Sequence, residues 1–274
     1  MEAVAAIIVT HNSEAVIHEC VDRLLLQTGV TLSIIIVDSG SLCSKYLDKY
    51  TDNVRVTLYR TSNIGFSAAN NIGFTLCPLE TKFVAFINPD LFVQPQTLEH
   101  AILRLQQMPQ VACLTAKLLQ YDIERNLPTG RIDSTGIFRK FYGRWYDRGL
   151  GQQDAGQYDH STFLPAACGG FLVCRREALL EAALPEGGIF DPDFFLYKED
   201  IELSLRLRKH GWGIFYDPRL VVYHCRGWSK KRADIAYSLR EMSARNEIVL
   251  YQKHPSVYVV WAVFKWLLVR VFKI

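Results

Sequence analysis

The amino-acid sequence predicts an α/β fold built on a mixed, mostly parallel sheet flanked by helices. Over residues 4–107, short β-branched runs alternate with segments of helical period. Most of these runs end in strongly polar turns, and open parallel sheets bind ligands at the carboxyl ends of their strands. The 274 residues are 49% hydrophobic, which is enough for one large core and one main domain.

The predicted elements follow this alternation along the chain. Runs rich in β-branched residues predict strands, and runs with a 3.6-residue period predict helices. Ser13 is the expected N-cap of the first helix, and Gly211 is expected to end the helix at 198–210. The predicted strands are 4–10, 32–37, 54–59, 83–87, 169–175, 214–216 and 221–224, and the predicted helices are 14–27, 66–74, 95–107, 176–183 and 198–210.

The alternation stops between residues 120 and 163. This stretch carries glycine, arginine and aromatic residues without a regular period. Long loops are uncommon in compact domains, and those that occur are usually functional. We expect an insertion or mobile loop over the site.

The cysteines and the start of the chain favour the cytoplasm as the cellular compartment. The seven cysteines are odd in number and form no CxxC pair, so neither a disulfide framework nor a zinc knuckle is suggested. The first apolar run begins at Val4 without a basic stretch ahead of it, so no secretory signal peptide is expected. We expect a cytoplasmic protein, in a reducing environment.

The charge is small overall and unevenly distributed. The net charge is +3. Residues 226–274 hold ten Lys or Arg against three Asp or Glu, a local net charge of +7, so residues 1–225 sum to −4. A basic end can meet nucleic acid or an anionic membrane, and the apolar residues beside it favour the membrane. We expect no nucleic-acid partner and a peripheral contact with the inner face of the cytoplasmic membrane.

The run 257–269 is apolar apart from Lys265, and it is too short to cross a bilayer of about 30 Å. As a helix it would carry Lys265, Arg270 and Lys273 on one arc and aromatic residues on much of the rest, as interfacial helices do. The alternative is a helix packed on the protein body or in a homodimer. Its large apolar residues include Trp261, Phe264, Trp266, Leu268 and Phe272.

Asn88-Pro89-Asp90 sets a carboxylate at a turn between two apolar runs, 83–87 and 91–93. Hard divalent cations take carboxylate oxygens and keep other coordination positions for phosphate. The same residues are also an ordinary way to end a strand, because Asn-Pro pairs often begin turns. The turn alone leaves both interpretations open.

Two adjacent acids, Glu199 and Asp200, stand at the predicted start of the helix 198–210. A carboxylate there interacts favourably with the helix dipole, which is a purely structural role. The aromatic residues just ahead predict instead a partly dry pocket, in which a carboxylate binds protons more tightly and can serve as a general base. Glu202 and Arg206 are predicted to form a surface ion pair outside catalysis.

Residues 63–73 form a loop rich in glycine and asparagine that leads into a helix of small residues. Its backbone N–H groups could approach a phosphate or a sugar hydroxyl. The loop lacks the GxGxxG and GxxxxGK[ST] spacings, which argues against a dinucleotide oxidoreductase or a P-loop phosphotransferase. His224 follows the apolar run 220–223. A lone histidine is more often structural than a ligand, but the position after a strand strengthens the case for a ligand role.

Together, these segments resemble the family 2 inverting glycosyltransferases with a GT-A fold, the Rossmann-like fold of nucleotide-diphospho-sugar transferases, and particularly the bacterial branch that includes rhamnosyltransferases. The resemblance extends from Val4 to about Ser229. It implies a GT-A domain over residues 1–229, followed by a helical C-terminal segment over 230–274. The segments that carry it are Ile7-Ile8-Val9-Thr10-His11-Asn12-Ser13, Ile36-Val37-Asp38-Ser39-Gly40-Ser41, Asn63-Ile64-Gly65-Phe66 with Asn70-Asn71-Ile72-Gly73, Asn88-Pro89-Asp90, Gly169-Gly170-Phe171, and Phe195-Leu196-Tyr197-Lys198-Glu199-Asp200-Ile201-Glu202-Leu203.

The resemblance implies a role for each matching residue. Asp90, in the DxD-type motif, is the implied ligand of a divalent cation, Mg²⁺ or Mn²⁺, and His224 is a second one. The first acid of that motif is Asn88 here, so metal dependence is expected to be weaker than usual. Asp200 is the implied catalytic base. The implied donor-nucleotide residues are Thr10, His11, Asn12, Asp38, Asn63, Gly65, Phe66, Asn70 and Asn88, and the implied acceptor or sugar residues are Gly169, Gly170, Tyr197, Glu199 and Trp228.

The implied activity is transfer of a sugar, first of all L-rhamnose from dTDP-L-rhamnose, to a glycan or lipid-linked glycan in surface polysaccharide or lipopolysaccharide synthesis. UDP-linked sugars remain open as donors. A sugar-nucleotide pyrophosphorylase would need an early glycine-rich basic loop, which residues 10–13 do not supply. A catalytically silent carbohydrate-binding or scaffold protein is the other alternative, and the presence of Asp38, Asp90 and Asp200 argues against it.

Overall fold

The computed structural model describes residues 1–225 and 236–273. Its centre is a ten-stranded sheet, and β-branched residues fill the middle strands because helices cover both faces there. Strands β8 and β9 form a separate two-stranded sheet. The strands are β1 (Glu2–Thr10), β2 (Val30–Ser39), β3 (Val56–Thr61), β4 (Phe83–Ile87), β5 (Leu91–Phe92), β6 (Val111–Asp122), β7 (Leu127–Ser134), β8 (Ile137–Arg139), β9 (Trp145–Asp147), β10 (Thr162–Phe163), β11 (Phe171–Arg175) and β12 (Gly213–His224).

The helices lie close to their predicted positions, but the first one begins later than expected. Ser13 was predicted to cap it, and this was wrong, since Val16 precedes the helix without a side-chain cap. The carbonyl of Ser13 instead accepts the N–H groups of Val16 and Ile17 in a preceding turn. The helices are α1 (Ile17–Leu25), α2 (Phe66–Thr75), α3 (Thr97–Gln107), α4 (Arg176–Glu181), α5 (Glu199–Lys209), α6 (Tyr237–Lys253) and α7 (Val259–Phe272), with a 3-10 helix over Lys45–Tyr50.

The sheet has the predicted mixed, mostly parallel character. Its strand order is β10-β12-β6-β11-β4-β1-β2-β3. Strands β1, β2, β3 and β4 are parallel, and β12 is parallel to β6. Strand β11 runs antiparallel between β4 and β6. The short strand β5 pairs with the end of β12, and β7 pairs with the end of β6.

Apolar side chains cover both faces of the sheet. One face packs against α1 and α3, and the other packs against α2 and α4, while the apolar residues of α5 are shared between the two faces. Full burial of a large aliphatic side chain is worth about 1.5–3 kcal/mol, so these layers fix the sheet firmly. The carboxyl ends of the parallel strands remain as a polar edge, which is where the site is expected.

The stretch 120–163 contains four short strands, so of the two expectations, an insertion or a mobile loop, the mobile loop was wrong. It contains the strands β7 to β10, and charged groups hold it to the body. Lys117 lies 3.0 Å from a carboxylate oxygen of Asp154 and also pairs with Asp159. Arg148 lies over the ring of Tyr216 on β12. Because these contacts join residues far apart in the sequence, no local hydrophobic period predicts them.

Two buried cysteines depart from the expectation that the cysteines are unpaired. Cys113 and Cys174 form a disulfide. They are direct neighbours across the antiparallel pairing of β6 with β11. The pair is separated by 61 residues, so only the sheet topology could have revealed it. Among the described residues, the other five cysteines form no disulfide.

The ion pair of Glu202 with Arg206 is buried, so its prediction as a surface pair was wrong. The two residues are 2% and 9% exposed. Arg206 also donates to the carbonyls of Ala182 and Ile189, and His254 lies 3.4 Å from Glu202. Since α5 packs on more than one side, the pair joins it to α4, to the turn after α4 and to the end of α6.

The C-terminal helices α6 and α7 pack against each other and against the body. Lys265 pairs with the buried Glu247 of α6, and the indole N–H of Trp266 donates to Glu241 (3.0 Å). The ring of Trp261 lies 4.8 Å from that of Tyr142. Lys265 therefore faces the protein, and its predicted arc with Arg270 and Lys273 was wrong.

A different face of α7 is exposed. Its apolar side chains recur at helical spacing, so they form one stripe along the helix. Within residues 1–225 and 236–273, no helix is long and apolar enough to cross a membrane. The exposed stripe consists of Val260, Val263, Phe264, Leu267 and Val271.

Candidate active site

The turns after β1 and β2 form one wall of a polar edge. Thr10 and Asp38 are register partners at the ends of these parallel strands. Asp38 Oδ1 accepts hydrogen bonds from the N–H (3.2 Å) and hydroxyl (2.5 Å) of Ser41. Among the described residues, Asp38 Oδ2 has no hydrogen-bond partner. The carboxylate is therefore fixed in position and keeps one oxygen for a ligand.

Tyr46 ties these two turns together. Its hydroxyl lies 3.1 Å from Thr10 Oγ1 and 3.0 Å from Ser41 Oγ. Thr10 is fully buried, whereas His11 and Asn12 are exposed. Thr10 therefore supports the wall from inside, and the two residues after it stand at the surface.

The turn after β3 closes against the second turn. The hydroxyl of Ser39 accepts a hydrogen bond from the N–H of Ile64 (3.1 Å). Gly40 approaches the backbone of the exposed Asn63 so closely that a side chain would collide. Gly65 has φ = 84° directly before α2, a conformation that favours glycine. The three turns thus form one continuous surface.

Helix α2 joins this surface to the segment ahead of α5. Its Ser67 hydroxyl donates to the carbonyl of Phe194 (2.6 Å), and the N–H of Phe66 donates to the carbonyl of Phe195 (2.7 Å). Asn70 is buried and donates back to the carbonyl of Phe66 within the helix. The three turns and the helix that carries Glu199 and Asp200 are therefore held in a fixed relation.

Asn88-Pro89-Asp90 forms a tight turn after β4. The N–H of Leu91 donates to the carbonyl of Asn88 (3.1 Å). The Asn88 side-chain oxygen is buried and has no hydrogen-bond partner among the described residues. Leaving such an atom unpaired costs about 1–3 kcal/mol. This turn therefore ends the strand and also carries a buried acceptor atom that no described residue pairs.

Strand β5 brings Asp90 to the end of β12. His224 faces Leu91 in their antiparallel pairing, and the N–H of Cys225 donates to the carbonyl of Asp90 (2.8 Å). As a result, His224 Nε2 lies 3.2 Å from Asp90 Oδ1. The two residues assigned to a cation are neighbours in space although 134 positions separate them in the sequence.

Two carboxylates face the buried imidazole of His224. Its Nδ1 lies 2.7 Å from Asp133 Oδ2, and its Nε2 faces Asp90. Burial alone would lower the pKa of His224, but Asp90 and Asp133 outweigh burial and raise this pKa to about 9. A cation that binds Nε2 must therefore displace a proton.

Two adjacent glycines, Gly169 and Gly170, lie between Asp200 and the side chains of Asn88 and His224. The N–H of Gly169 donates to Asp200 Oδ2 (2.9 Å), and the carbonyl of Gly170 accepts the N–H of Asn88 (2.9 Å). A β-carbon built on Gly170 would lie 3.6 Å from Asn88 Nδ2 and 3.6 Å from His224 Cε1. Gly169 thus binds the Asp200 carboxylate, and the next residue, Gly170, lies beside the side chains of Asn88 and His224.

Glu199 and Asp200 are adjacent but differ in environment. Glu199 is buried, and its Oε2 has no hydrogen-bond partner among the described residues. Burial, and then the neighbouring Asp200, raises the pKa of Glu199 to about 8. Tyr197 and Lys198, just ahead, have left-handed φ values of 74° and 78°, a strained arrangement that often occurs at active sites.

Comparison with protein families now identifies the domain. Residues 5–181 match the family described as Glycosyl transferase family 2, which is more than half of the chain. This chain belongs to glycosyl transferase family 2. The resemblance inferred from the short motifs is confirmed at the level of the family.

Solved structures show that this family 2 domain has the expected GT-A fold. It is similar to the crystal structure of GalNAc-T7 with UDP, GalNAc and Mn²⁺, with a TM-score of 0.66 and 17% identity over 92% of this chain and 48% of that one. It is also similar to S. aureus TarS 1-349 in complex with UDP-GlcNAc, with a TM-score of 0.57 and 15% identity over 99% of this chain and 73% of that one.

Two curated proteins are related in sequence to this family 2 chain. The uncharacterized protein y4gI of Sinorhizobium fredii (strain NBRC 101917 / NGR234) is 26% identical over 84% of this chain and 25% of that protein. The uncharacterized glycosyltransferase YibD of Escherichia coli (strain K12) is 29% identical over 48% of this chain and 40% of that protein. The chain therefore aligns with less than half of the length of either relative.

The side chains at the centre of this family 2 domain suit a divalent cation that substrate helps to bind. Within residues 1–225 and 236–273, no three His, Cys, Asp or Glu side chains form a metal-binding group. Asp90 and His224 would supply two ligand atoms, and the unpaired oxygen of Asn88 lies in the same turn as Asp90. Mg²⁺ is usually held by one or two carboxylates together with substrate phosphates. The residues present therefore fit a cation that binds with a diphosphate.

Sequence reasoning missed several residues that hold this site together. Asp133 supports His224, Tyr46 joins the first two turns, and Asn246 of α6 donates to the backbone just ahead of α5. Each acts across a large sequence separation, and none lies in a recognisable motif. Trp228, which was assigned to the acceptor, lies outside the described residues.

Proposed function

We propose that this domain is an inverting glycosyltransferase that moves a sugar from a nucleoside-diphosphate donor to a hydroxyl group. The observation that carries this proposal is the contact pattern of Gly169 and Gly170. Asp200 bonds the first, and Asn88 and His224 flank the second. Displacement of a diphosphate in one step requires a base on one side of the sugar and charge stabilisation on the other.

In this proposal, the donor nucleotide lies on the turns after β1, β2 and β3. Asp38 Oδ2 would accept the ring N–H that uracil and thymine share. Backbone N–H groups at the start of α2 would approach the diphosphate. The residues proposed to surround the donor are His11, Asn12, Asp38, Asn63, Gly65, Phe66 and Asn88, supported from inside by the buried Thr10 and Asn70.

Asp90 and His224 are proposed to hold Mg²⁺ or Mn²⁺. A cation bound there would neutralise negative charge that develops on the departing diphosphate. Asn88 stands where the motif commonly has an acid, so the site has one negative charge fewer. We therefore expect the cation to bind weakly alone and more tightly together with a nucleoside diphosphate.

Asp200 is the proposed general base. Its carboxylate takes the proton of the acceptor hydroxyl as that oxygen bonds to the anomeric carbon, while the bond from this carbon to the diphosphate breaks on the opposite face. The anomeric configuration inverts. Such base assistance is typically worth about 10²–10⁴ in rate.

The first donor that we propose is dTDP-L-rhamnose, from the resemblance to the rhamnosyltransferase branch. UDP-linked sugars are the second choice. GalNAc-T7 and TarS have been crystallised with UDP and with UDP-GlcNAc, and uracil presents the same ring N–H as thymine to Asp38. The proposed acceptor is a glycan or lipid-linked glycan of a surface polysaccharide, bound close to Gly169, Tyr197 and Glu199.

Release of nucleoside diphosphate from dTDP- and UDP-sugars, with and without Mg²⁺ or Mn²⁺, tests the proposal. We expect Asp200→Asn to lower turnover by about 10²–10⁴ while donor affinity stays within about twofold. Asp193→Asn is the matched control, because Asp193 precedes the same helix but is exposed and paired with Lys253. Wild-type turnover in Asp200→Asn would contradict the assignment. Donor binding without any release would favour the silent carbohydrate-binding alternative.

We also propose that the exposed stripe of α7 contacts the cytoplasmic face of an anionic membrane. Phe264 and Leu267 lie at the middle of the stripe, and the exposed Arg270 and Lys273 lie near its end. Apolar side chains can enter the headgroup region while basic ones meet anionic lipids.

Flotation with phosphatidylcholine vesicles, with and without phosphatidylglycerol, tests the membrane contact. We expect binding only to the anionic vesicles, and loss of binding in Leu267→Asp. Leu79→Asp is the matched control, because Leu79 is also exposed but lies far from α7, in the turn before β4. Unchanged flotation of Leu267→Asp would overturn the proposal. A concentration-dependent dimer that Leu267→Asp disrupts would favour the homodimer instead.

A further inference from the structure

Asp133 is a buried carboxylate to which the proposed reaction assigns no role. It is 0% exposed, and a carboxylate at such a position needs a compensating partner. Where β7 pairs with β6, Ser134 faces Leu118 and Ile132 faces Leu119. Asp133 is therefore the extra residue of a β-bulge. Bulges next to active sites commonly redirect a side chain.

The redirected side chain reaches His224. Strand β6 lies between β7 and β12, yet Asp133 Oδ2 lies 2.7 Å from His224 Nδ1. On the other side of the ring, Nε2 lies 3.2 Å from Asp90 Oδ1. One ring nitrogen is thus held, and the other is presented to the proposed cation site.

We propose that Asp133 is a positioning residue that accepts the Nδ1–H of His224 and so leaves the Nε2 lone pair directed at the cation. This inference rests on the proposed function, in which His224 is a cation ligand. Histidines that bind metals commonly donate their other N–H to a carboxylate, which fixes the tautomer and the orientation of the ring. The insertion 120–163 thereby contributes to the chemistry of the domain through a residue that touches no substrate.

A purely structural role for Asp133 makes a different prediction. If the contact only joined β7 to β12, its loss would lower the free energy of unfolding and leave cation affinity in the folded protein unchanged. A positioning role instead lowers cation affinity in protein that remains folded. The test therefore measures Mn²⁺ binding directly, without relying on turnover.

The experiment titrates Mn²⁺ into the protein in the presence of UDP and follows free Mn²⁺ by electron paramagnetic resonance. Asp133→Asn keeps the shape of the side chain, but its amide can donate to Nδ1 and so move the ring proton to Nε2. We expect Mn²⁺ affinity to fall about 10- to 100-fold, while UDP affinity without metal is unchanged. Asp154→Asn is the matched control, because Asp154 lies in the same insertion but pairs with Lys117.

The double variant Asp133→Asn/His224→Ala separates positioning from general damage. If Asp133 acts through His224, Asp133→Asn causes no further loss of Mn²⁺ affinity once the imidazole is gone. Equal losses in the presence and absence of His224 would overturn the inference, as would wild-type affinity in Asp133→Asn. If the wild-type protein binds no Mn²⁺ with UDP, the proposed cation site itself fails, and that outcome is distinct from the other two.

A second measurement needs no Asp133 variant. Nitrogen-15 NMR of the wild-type protein with Mg²⁺ and UDP reports which nitrogen of His224 carries the proton, and His224→Ala assigns the signal. We expect the proton on Nδ1. A proton on Nε2 would overturn the inference even if Asp133→Asn fails to fold.

Discussion

At the residue scale, Gly169 occupies a position without room for a side chain. A β-carbon there would lie 2.9 Å from Cβ of Asp200, and the Gly169 N–H already bonds the Asp200 carboxylate. Gly169→Ala should therefore push the proposed base out of place. We expect kcat to fall about 10- to 100-fold, since misplacement by about 1 Å can cost that much, with little change in donor KM. Steady-state kinetics measures both.

The neighbouring glycine provides the comparison for this prediction. A β-carbon on Gly170 would make only ordinary contacts of 3.6 Å with Asn88 and His224. Gly170→Ala should therefore lose less turnover than Gly169→Ala. Equal losses in the two variants would show that the position of Asp200 is not the cause.

Glu199 should make stability depend on pH. Its pKa is raised from the ordinary value of 4.5 to about 8, so the folded protein favours the protonated carboxyl. The contribution of Glu199 to the free energy of unfolding is fully present below the ordinary pKa and is lost as pH rises through about 8. We expect Glu199→Gln, which is neutral at every pH, to unfold at a higher temperature than wild type near pH 9. The two melting curves should converge near pH 4, and calorimetry that finds no such convergence would contradict the assignment.

Some residues of the site could be predicted from sequence, and others could not. Asp38, Asp90 and Asp200 follow strands or begin a helix, and those local positions marked them as candidates. Asp133 and Asn246 gave no such signal, because each contacts residues about fifty to ninety positions away in the sequence. Local pattern identifies candidate residues at the ends of strands and the starts of helices, but it does not identify residues that support them from another element.

At the scale of elements, α6 holds the backbone that precedes α5. The side-chain amide of Asn246 donates to the carbonyls of Leu196 and Tyr197, at 2.9 Å each. Tyr197 and Lys198 have left-handed backbone angles, which cost roughly 1–2 kcal/mol for each such residue. We therefore expect Asn246→Ala to lower the free energy of unfolding by about 1–3 kcal/mol and to lower kcat more than it raises donor KM. Denaturant titration and kinetics measure the two effects.

The comparison for Asn246 lies one residue earlier on the same helix. Arg245 is exposed, so Arg245→Ala should leave the unfolding free energy within about 0.5 kcal/mol of wild type. Asn246→Asp provides a further check, because it keeps the size of the side chain but removes both donors. A stable and fully active Asn246→Asp would show that α6 does not position this backbone.

The alternation of β-branched runs with helical periods located most elements of the sheet. Strand β4 and helix α2 were predicted almost to the residue, because their apolar runs end in clear turn residues. The segment 120–163 was not predicted, because the short strands within it are ordered by contacts with distant residues. The ion pair of Glu202 with Arg206 shows the same limit, since helical spacing predicts that two residues meet but not whether another element covers them.

At the scale of the whole molecule, composition predicted one large core and a basic C-terminal end. It could not predict which face of α7 is exposed, because Lys265 turns inward to the buried Glu247. The residues that meet at the polar edge of the sheet could likewise be predicted only in part. Strand-end positions indicated that Asp38 and Asp90 belong to one edge, but the glycine dipeptide that links Asp200 to it is visible only in three dimensions.

Because the proposed donor site draws on turns from several strands, nucleotide binding should stabilise the whole domain. At one hundred times its Kd, a ligand adds about 2.7 kcal/mol, a rise in Tm of roughly 5–10 °C for a chain of this size. We expect UDP and dTDP with Mg²⁺ to produce such a rise, and ADP to produce little, because adenine has no ring N–H for Asp38. Asp38→Asn should reduce the shift with UDP and leave that with ADP unchanged. An equal shift with UDP and ADP would show that Asp38 does not read the base.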